Sequence, residues 1–149
     1  MKIIVLGAGL VGGPMAIDLA KDDDYEVSIA DINPVSFEHL KSFDIKTIQQ
    51  DLSFPETVKK IVSEYDMVIN AVRGFLGFQT LKAIIEAGKN VVDIAFFPED
   101  PFILDELAKK NNVTAIMDCG VAPGMMHILT GYVHHLLDET ETCLTYVGG

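Results

Sequence analysis

Residues 1–20 read MKIIVLGAGLVGGPMAIDLA, and this stretch decides the fold. The apolar run Lys2–Leu6 has the composition of a strand and ends at a glycine; from Leu10 the apolar residues recur at helical spacing. Packing alone does not require Gly7, Gly9 and Gly12 together. A G-x-G-x-x-G between a strand and a helix requires them when the turn holds a dinucleotide. Gly7 takes the angles of a tight turn, Gly9 has no Cβ to keep a pyrophosphate off the backbone, and Gly12 lets the helix approach the strand. The N–H groups of the turn through Leu10 and Val11, with the positive end of the helix dipole, then bind the phosphates.

The alternation continues along the chain. Strands are expected at Lys2–Leu6, Glu26–Ala30, Ile45–Ile48, Met67–Asn70, Asn90–Asp93 and Val113–Met117. Helices are expected at Leu10–Lys21, Pro34–Ser42, Pro55–Ser63, Phe78–Ala87 and Pro101–Lys110. Pro34, Pro55 and Pro101 suit first helical turns, where the missing N–H costs little. Ser53 and Asp100 precede two of them as caps, and Gly88 is a helix stop. Continuously apolar strands joined by helical crossovers predict an α/β fold with a parallel sheet covered on both faces. Six of them make a doubly wound, Rossmann arrangement in the order 3-2-1-4-5-6. Residues 1–120 form this dinucleotide-binding domain. Residues 121–149 read as a crossover helix, Met125–Leu137, and a strand in TCLTYVGG at 142–149, the opening of a second, truncated domain that lies outside the chain.

Composition narrows the partners. The 149 residues carry 11 basic and 22 acidic side chains, a net charge of −11, with no basic stretch. That points away from nucleic acid and anionic membranes, and makes a local donor cluster necessary for any anionic cofactor. Cys119 and Cys143 are far apart, which favours reduced thiols and a cytoplasmic setting. No signal-peptide pattern precedes the first strand, and no apolar run reaches the roughly 18–20 residues of a membrane span. His134 and His135 are adjacent on a helix and point about 100° apart, a poor chelate, so no metal is expected.

The other candidates lie where strands end. Asp31, 19 residues beyond Gly12, is placed to accept hydrogen bonds from the adenosine ribose hydroxyls, with Ile32 beside it. Such a carboxylate repels a 2′-phosphate, and Asn33 stands where an NADP-preferring protein offers arginine, so NAD is expected over NADP. Asp31 also suits a helix cap before Pro34, and the two roles are compatible. Asp51 suits either the adenine amine or a cap. Asn70, Ala71 and Val72 end the fourth strand at the ligand edge. Arg73 is either a cation for a phosphate or substrate carboxylate or a plain surface arginine, and RGFLGF (73–78) reads as a mobile loop with an apolar tip. Asp93 ends the fifth strand, as a ligand-edge group or a loop carboxylate. Asp118, Gly120, Val121, Pro123 and Gly124 lead out of the sixth strand into a helix whose first N–H groups either face nicotinamide and substrate or only shape a crossover. Cys119 reads as a small buried residue, and His127 as a core or surface histidine.

Together VLGAGLVGGPMAIDLA (5–20), ADIN (30–33), DMVINA (66–71), VVDIA (91–95), DCGVAPGMMHILTGY (118–132) and YVGG (146–149) resemble the saccharopine dehydrogenase and lysine 6-dehydrogenase superfamily. GVAPGM is the most specific part. Saccharopine reductases carry an aspartate where this chain has Ala122, which brings it nearer the lysine 6-dehydrogenase branch. The resemblance implies NAD(P)-dependent oxidation at an amine-bearing carbon of an amino acid, or the reverse imine reduction, in lysine metabolism. It also implies a further mixed α/β domain that supplies substrate pocket and homodimer contact, so the chain alone is not expected to turn over. The rival reading is a nucleotide-sensing regulatory module of the potassium-transport type, without chemistry.

Overall fold

The computed structural model describes residues 1–147. β1 (Lys2–Leu6) runs through its centre, with Ile4, Val5 and Leu6 fully enclosed. It pairs in parallel with β2 (Glu26–Asp31) and with β4 (Met67–Asn70), Leu6 standing beside both Ala30 and Asn70. β3 (Ile45–Gln49), β5 (Asn90–Asp93) and β6 (Ala115–Ile116) complete a parallel sheet of order β3-β2-β1-β4-β5-β6.

Alternation along β1 divides the core. Val5 packs with Val27, Ile29, Phe37 and Leu40 beneath α1 (Gly12–Leu19) and the 3-10 helix Pro34–Leu40. Ile4 and Leu6 face the opposite side with Val58, Val62, Leu81 and Ile84, under α2 (Pro55–Val62) and α3 (Gly74–Glu86). These clusters bury the apolar area that drives folding. All six carboxyl ends of the strands emerge along one edge, where ligands of open α/β sheets bind.

Several elements differ from the sequence-based expectation. α1 begins at Gly12 because Leu10 and Val11 form the turn. The segment after β2 is a 3-10 helix: Asn33 accepts Val35 N–H on its side chain and Ser36 N–H on its carbonyl, tightening the turn. The 101–110 helix divides into a 3-10 turn, Pro101–Leu104, capped by Asp100, and α4 (Asp105–Lys110). Ser53 caps nothing; Phe54 holds the cap position of α2. The RGFLGF loop is instead the start of α3, because Gly74 lies so close to the Phe96 carbonyl that a Cβ would sit 2.0 Å from its oxygen. β6 pairs only at Ala115 and Ile116; β5 is short, and the Asn90 side chain takes Thr114 N–H at its end.

Beyond β6, α5 (Met125–Leu136) has no buried residue. Residues 142–147 form no strand. Gly148 and Gly149, the rest of that expected strand, lie outside the described residues. No helix among the described residues is long and apolar enough to cross a membrane.

Candidate functional site

The turn from β1 to α1 is a cradle. Gly7, at φ +100°, donates its N–H to Ala30 O at 2.8 Å and so extends the β1–β2 ladder into the turn. A Cβ on Gly12 would lie 2.0 Å from Gly7 O, so only glycine lets α1 start this close to the strand. Nothing lies within 4 Å of the place a Gly9 Cβ would take, which leaves open space above the turn. Leu10 is 98% exposed. Gly9, Leu10, Val11 and Gly12 donate no N–H hydrogen bond among the described residues. Four free amides at a helix start, with clear space above Gly9, fit a diphosphate.

Beside the cradle lies a cavity of about 390 Å³. It gathers Gly7, Gly9, Asp31, Ile32, Asp51, Ala71, Val72 and Arg73 from the expected residues, and leaves Leu10, Val11, Gly12 and Asn70 outside its lining. It also takes in Asn33, Ser36, Leu52, Ser53, Phe75 and Leu76. Phe75 and Leu76 were hidden in a stretch that read as a loop. Ser36 faces the cavity because of the 3-10 turn, which no spacing rule marks. Asp51 accepts Ser53 N–H at 2.9 Å, and the Ser53 hydroxyl and amide hold its carboxyl below the usual range.

Asp31 is engaged by the backbone. One oxygen accepts Ala8 N–H of the glycine turn at 2.7 Å, the other Asn33 N–H at 2.8 Å. The cap of the following 3-10 helix is Asn33, not Asp31. The carboxylate thus braces the turn across 23 residues.

Asn70 and Asp93 form a pair beneath the ligand edge. Both are fully enclosed, because alternation along β4 and β5 turns them toward α3. Asn70 Nδ2 donates to Asp93 Oδ2 at 2.8 Å, and Ala95 N–H to Asp93 Oδ1 at 2.7 Å. Burial raises the Asp93 pKa to about 6, against the lowering effect of these two bonds and with a further push from the Asp118 charge. Neither side chain is part of the lining of the cavity beside the glycine turn.

A second cavity, about 280 Å³, lies between the β5 end and the crossover. Asp118, Gly120, Val121 and Pro123 line it with Ala122, Ile94, Ala95, Phe96 and Val147. Gly124 stands at the N-terminal cap of α5, but the helix amides are engaged: Met125 N–H bonds Gly120 O, and Met126 N–H bonds Val121 O, both at 2.9 Å. The free donors expected there are absent, since the turn folds back to satisfy them. Burial first, then the charges of Asp93 and Asp118, raise the Cys119 thiol pKa, which disfavours the thiolate a nucleophile requires. His127 Nδ1 accepts Gly124 N–H at 3.2 Å, and His134 Nδ1 pairs with Thr140 Oγ1 at 2.9 Å. Among the described residues no group of three or more His, Cys, Asp or Glu side chains gathers.

With this geometry in place, comparison with known proteins is specific. The family described as the saccharopine dehydrogenase NADP binding domain matches residues 3–116. Saccharopine dehydrogenase [NADP(+), L-glutamate-forming] of Saccharomyces cerevisiae is 24% identical over 153 residues, covering 99% of this chain and 34% of the yeast protein. The mitochondrial alpha-aminoadipic semialdehyde synthase of Mus musculus is 25% identical over 154 residues, covering 99% of this chain and 17% of its own length. The chain thus spans about a third of the yeast protein and less of the mouse one. Among solved structures, apo saccharopine dehydrogenase (L-Glu forming) from Saccharomyces cerevisiae superposes with a TM-score of 0.80 at 23% identity, over 91% of this chain and 31% of that one. Biliverdin reductase from Synechocystis, solved with biliverdin and NADP+, gives 0.60 at 17% identity over 78% of this chain and 37% of its own. At these identities the structural likeness establishes the fold. The NAD preference read from Asp31 is overturned, since the matching family is an NADP-binding domain and the yeast relative is named for NADP(+). That reading rested on the Asp31 charge repelling a 2′-phosphate; in the fold each of its oxygens accepts a backbone N–H, which compensates part of that charge.

Proposed function

The chain belongs to the saccharopine dehydrogenase NADP binding domain family, and on that premise we propose that it binds NADP(H) as the cofactor domain of an oxidoreductase acting at an amine-bearing carbon of an amino acid. The observation that carries this reading is the glycine turn, with open space above Gly9 and four N–H donors free at the head of α1. The cofactor supplies the hydride acceptor or donor; the residues of this chain bind and orient it. The amides of Gly9–Gly12 hold the diphosphate. The adenosine occupies the cavity between Asp31, Asp51 and Arg73, against the apolar walls of Ile32, Val72 and Leu76. Asp31 keeps the turn in its binding shape through Ala8.

The nicotinamide end falls toward the crossover cavity, where Asp118 is the charged side chain in an otherwise apolar lining. That cavity opens beside the exposed α5, and residues 121–147 bury little of themselves. This supports residues 121–149 as the lead into a further domain that covers the substrate, in a protein of the relatives' length. A homodimer through that domain belongs to the same proposal. The nucleotide-sensing alternative is not favoured, since the family match and the curated relatives are dehydrogenase-type proteins.

Calorimetric titration of the chain with NADP+ and with NAD+ tests the cofactor reading. Tighter binding of NADP+ is expected; an empty site at millimolar dinucleotide refutes it. In the intact protein, absorbance at the NADPH maximum with saccharopine or lysine tests the oxidoreductase reading, and silence with every amino-acid amine would refute that part.

A further inference from the structure

A family of NADP-binding domains poses a problem for this chain, whose β2 ends in an aspartate with no arginine beside it. The adenosine cavity holds two carboxylates, Asp31 and Asp51, and a 2′-phosphate would add up to two further negative charges. Asp31 has each oxygen turned to a backbone N–H, so part of its charge is already compensated. The remaining compensation must come from a cation.

Among the described residues, Arg73 is the only basic side chain lining that cavity. It arises at the cap of α3, held there by its own carbonyl accepting Leu76 N–H at 2.8 Å. It makes no ion pair among the described residues, although an acidic protein offers it many. The diphosphate has its own donors in the amides of the glycine turn, so it does not need Arg73. Arg73 shares that cavity with the residues that follow β2 and β3, the adenosine side, Ser36 among them, as well as with Gly7 and Gly9 of the turn, Ala71 and Val72 after β4, and Phe75 and Leu76 of α3.

We propose that Arg73 is the specificity-determining residue that lets this cavity select a 2′-phosphorylated adenosine, its guanidinium and the Ser36 hydroxyl holding the 2′-phosphate. The proposal rests on the reading of the cavity as an NADP site. It moves the preference for NADP from the end of β2, where spacing rules look for it, to the end of β4.

The test is isothermal titration of the chain, wild type against Arg73→Ala and Arg73→Lys, with NADP+, NAD+, adenosine 2′-monophosphate and adenosine 5′-monophosphate. Arg73→Ala is expected to weaken NADP+ and the 2′-monophosphate about tenfold, the size of one charge-assisted contact, and to leave the other two within about twofold. Arg73→Lys restores part of the loss, because it keeps the charge without the planar fork. Equal weakening of NADP+ and NAD+ overturns the proposal, by placing Arg73 on the diphosphate. So does an unchanged ratio. Wild-type chain that binds NAD+ as tightly as NADP+ overturns the cofactor reading itself, and that failure shows before any variant is made. Thermal melts of the variants exclude misfolding as the cause, and Arg73, being exposed, is expected to leave them unchanged.

Discussion

The two ends of the ligand edge are built to different degrees. On the β1–β3 side the chain finishes its own site: the glycine turn is braced by Asp31, the adenosine cavity is walled on several sides, and the centres of β1 and β2 beneath are buried. On the β5–β6 side the sheet stops at a two-residue edge strand, and α5 beyond it has no fully buried residue. Apolar residues recur along α5 at Met125, Ile128, Leu129, Tyr132, Val133 and Leu136, a stripe three and four residues apart that normally faces a core. Ile128 nevertheless stands 74% exposed. The difference teaches that the dinucleotide half is self-sufficient in packing, whereas residues 118–147 carry a pattern this chain alone does not use.

The sharpest way to break that contrast is to damage the finished side. Gly12→Ala places a Cβ where Gly7 O already sits, at 2.0 Å, and backbone cannot swing away as a flexible side chain would. Its expected cost is about 3 kcal/mol, with loss of measurable NADP+ binding. Urea denaturation and calorimetry check the two effects; full stability with full binding would show that α1 is not packed as described.

An intermediate effect comes from the pair beneath the edge. The pKa of Asp93 is raised from 3.8 to about 6, so the folded state holds its proton at pH values where the unfolded chain has released it. The stability that this proton confers is fully present below pH 3.8 and is lost as pH rises through about 6. Across that window wild type is expected to lose about 3 kcal/mol relative to Asp93→Asn, which has nothing to titrate. Denaturation midpoints of both proteins from pH 4 to pH 7 measure the difference. Parallel curves would mean that Asp93 ionises as an ordinary surface carboxylate does.

The smallest effect is expected on the unfinished side. Ile128→Ser removes an apolar side chain that buries almost nothing here, so stability should change by less than about 0.5 kcal/mol. A thermal melt of the 149-residue chain decides it. A large loss would show that α5 packs against the sheet in solution, and the contrast between the two ends would collapse.

Much of this was legible beforehand because strands and turns advertise themselves. β1, β4 and β5 fall at the expected residues, since short β-branched runs between turn signals leave few alternatives. Gly88, at φ +70°, ends α3 as its position suggests. The misses have a common cause. GFLGF read as a loop because glycine is a poor helix former, yet Gly74 is there for contact with Phe96 O, a residue 22 positions later. The full burial of Asn70 and Asp93 was not legible from their position at the strand ends; it depends on how their neighbours pack. Val113–Met117 read as a full strand, but the length of an edge strand is set by its neighbour.

By itself, the sequence determined the order of elements, the parallel doubly wound sheet and the dinucleotide turn, since all three follow from local periodicity and from the backbone freedom of a few glycines. Tertiary structure alone decided what each strand-end carboxylate does. Asp31 became a brace, Asp93 a buried acid and Asp118 an exposed charge, because hydrogen-bond partners 23 residues away and the depth of burial set the state of a carboxyl group, and neither is written in its neighbours along the chain.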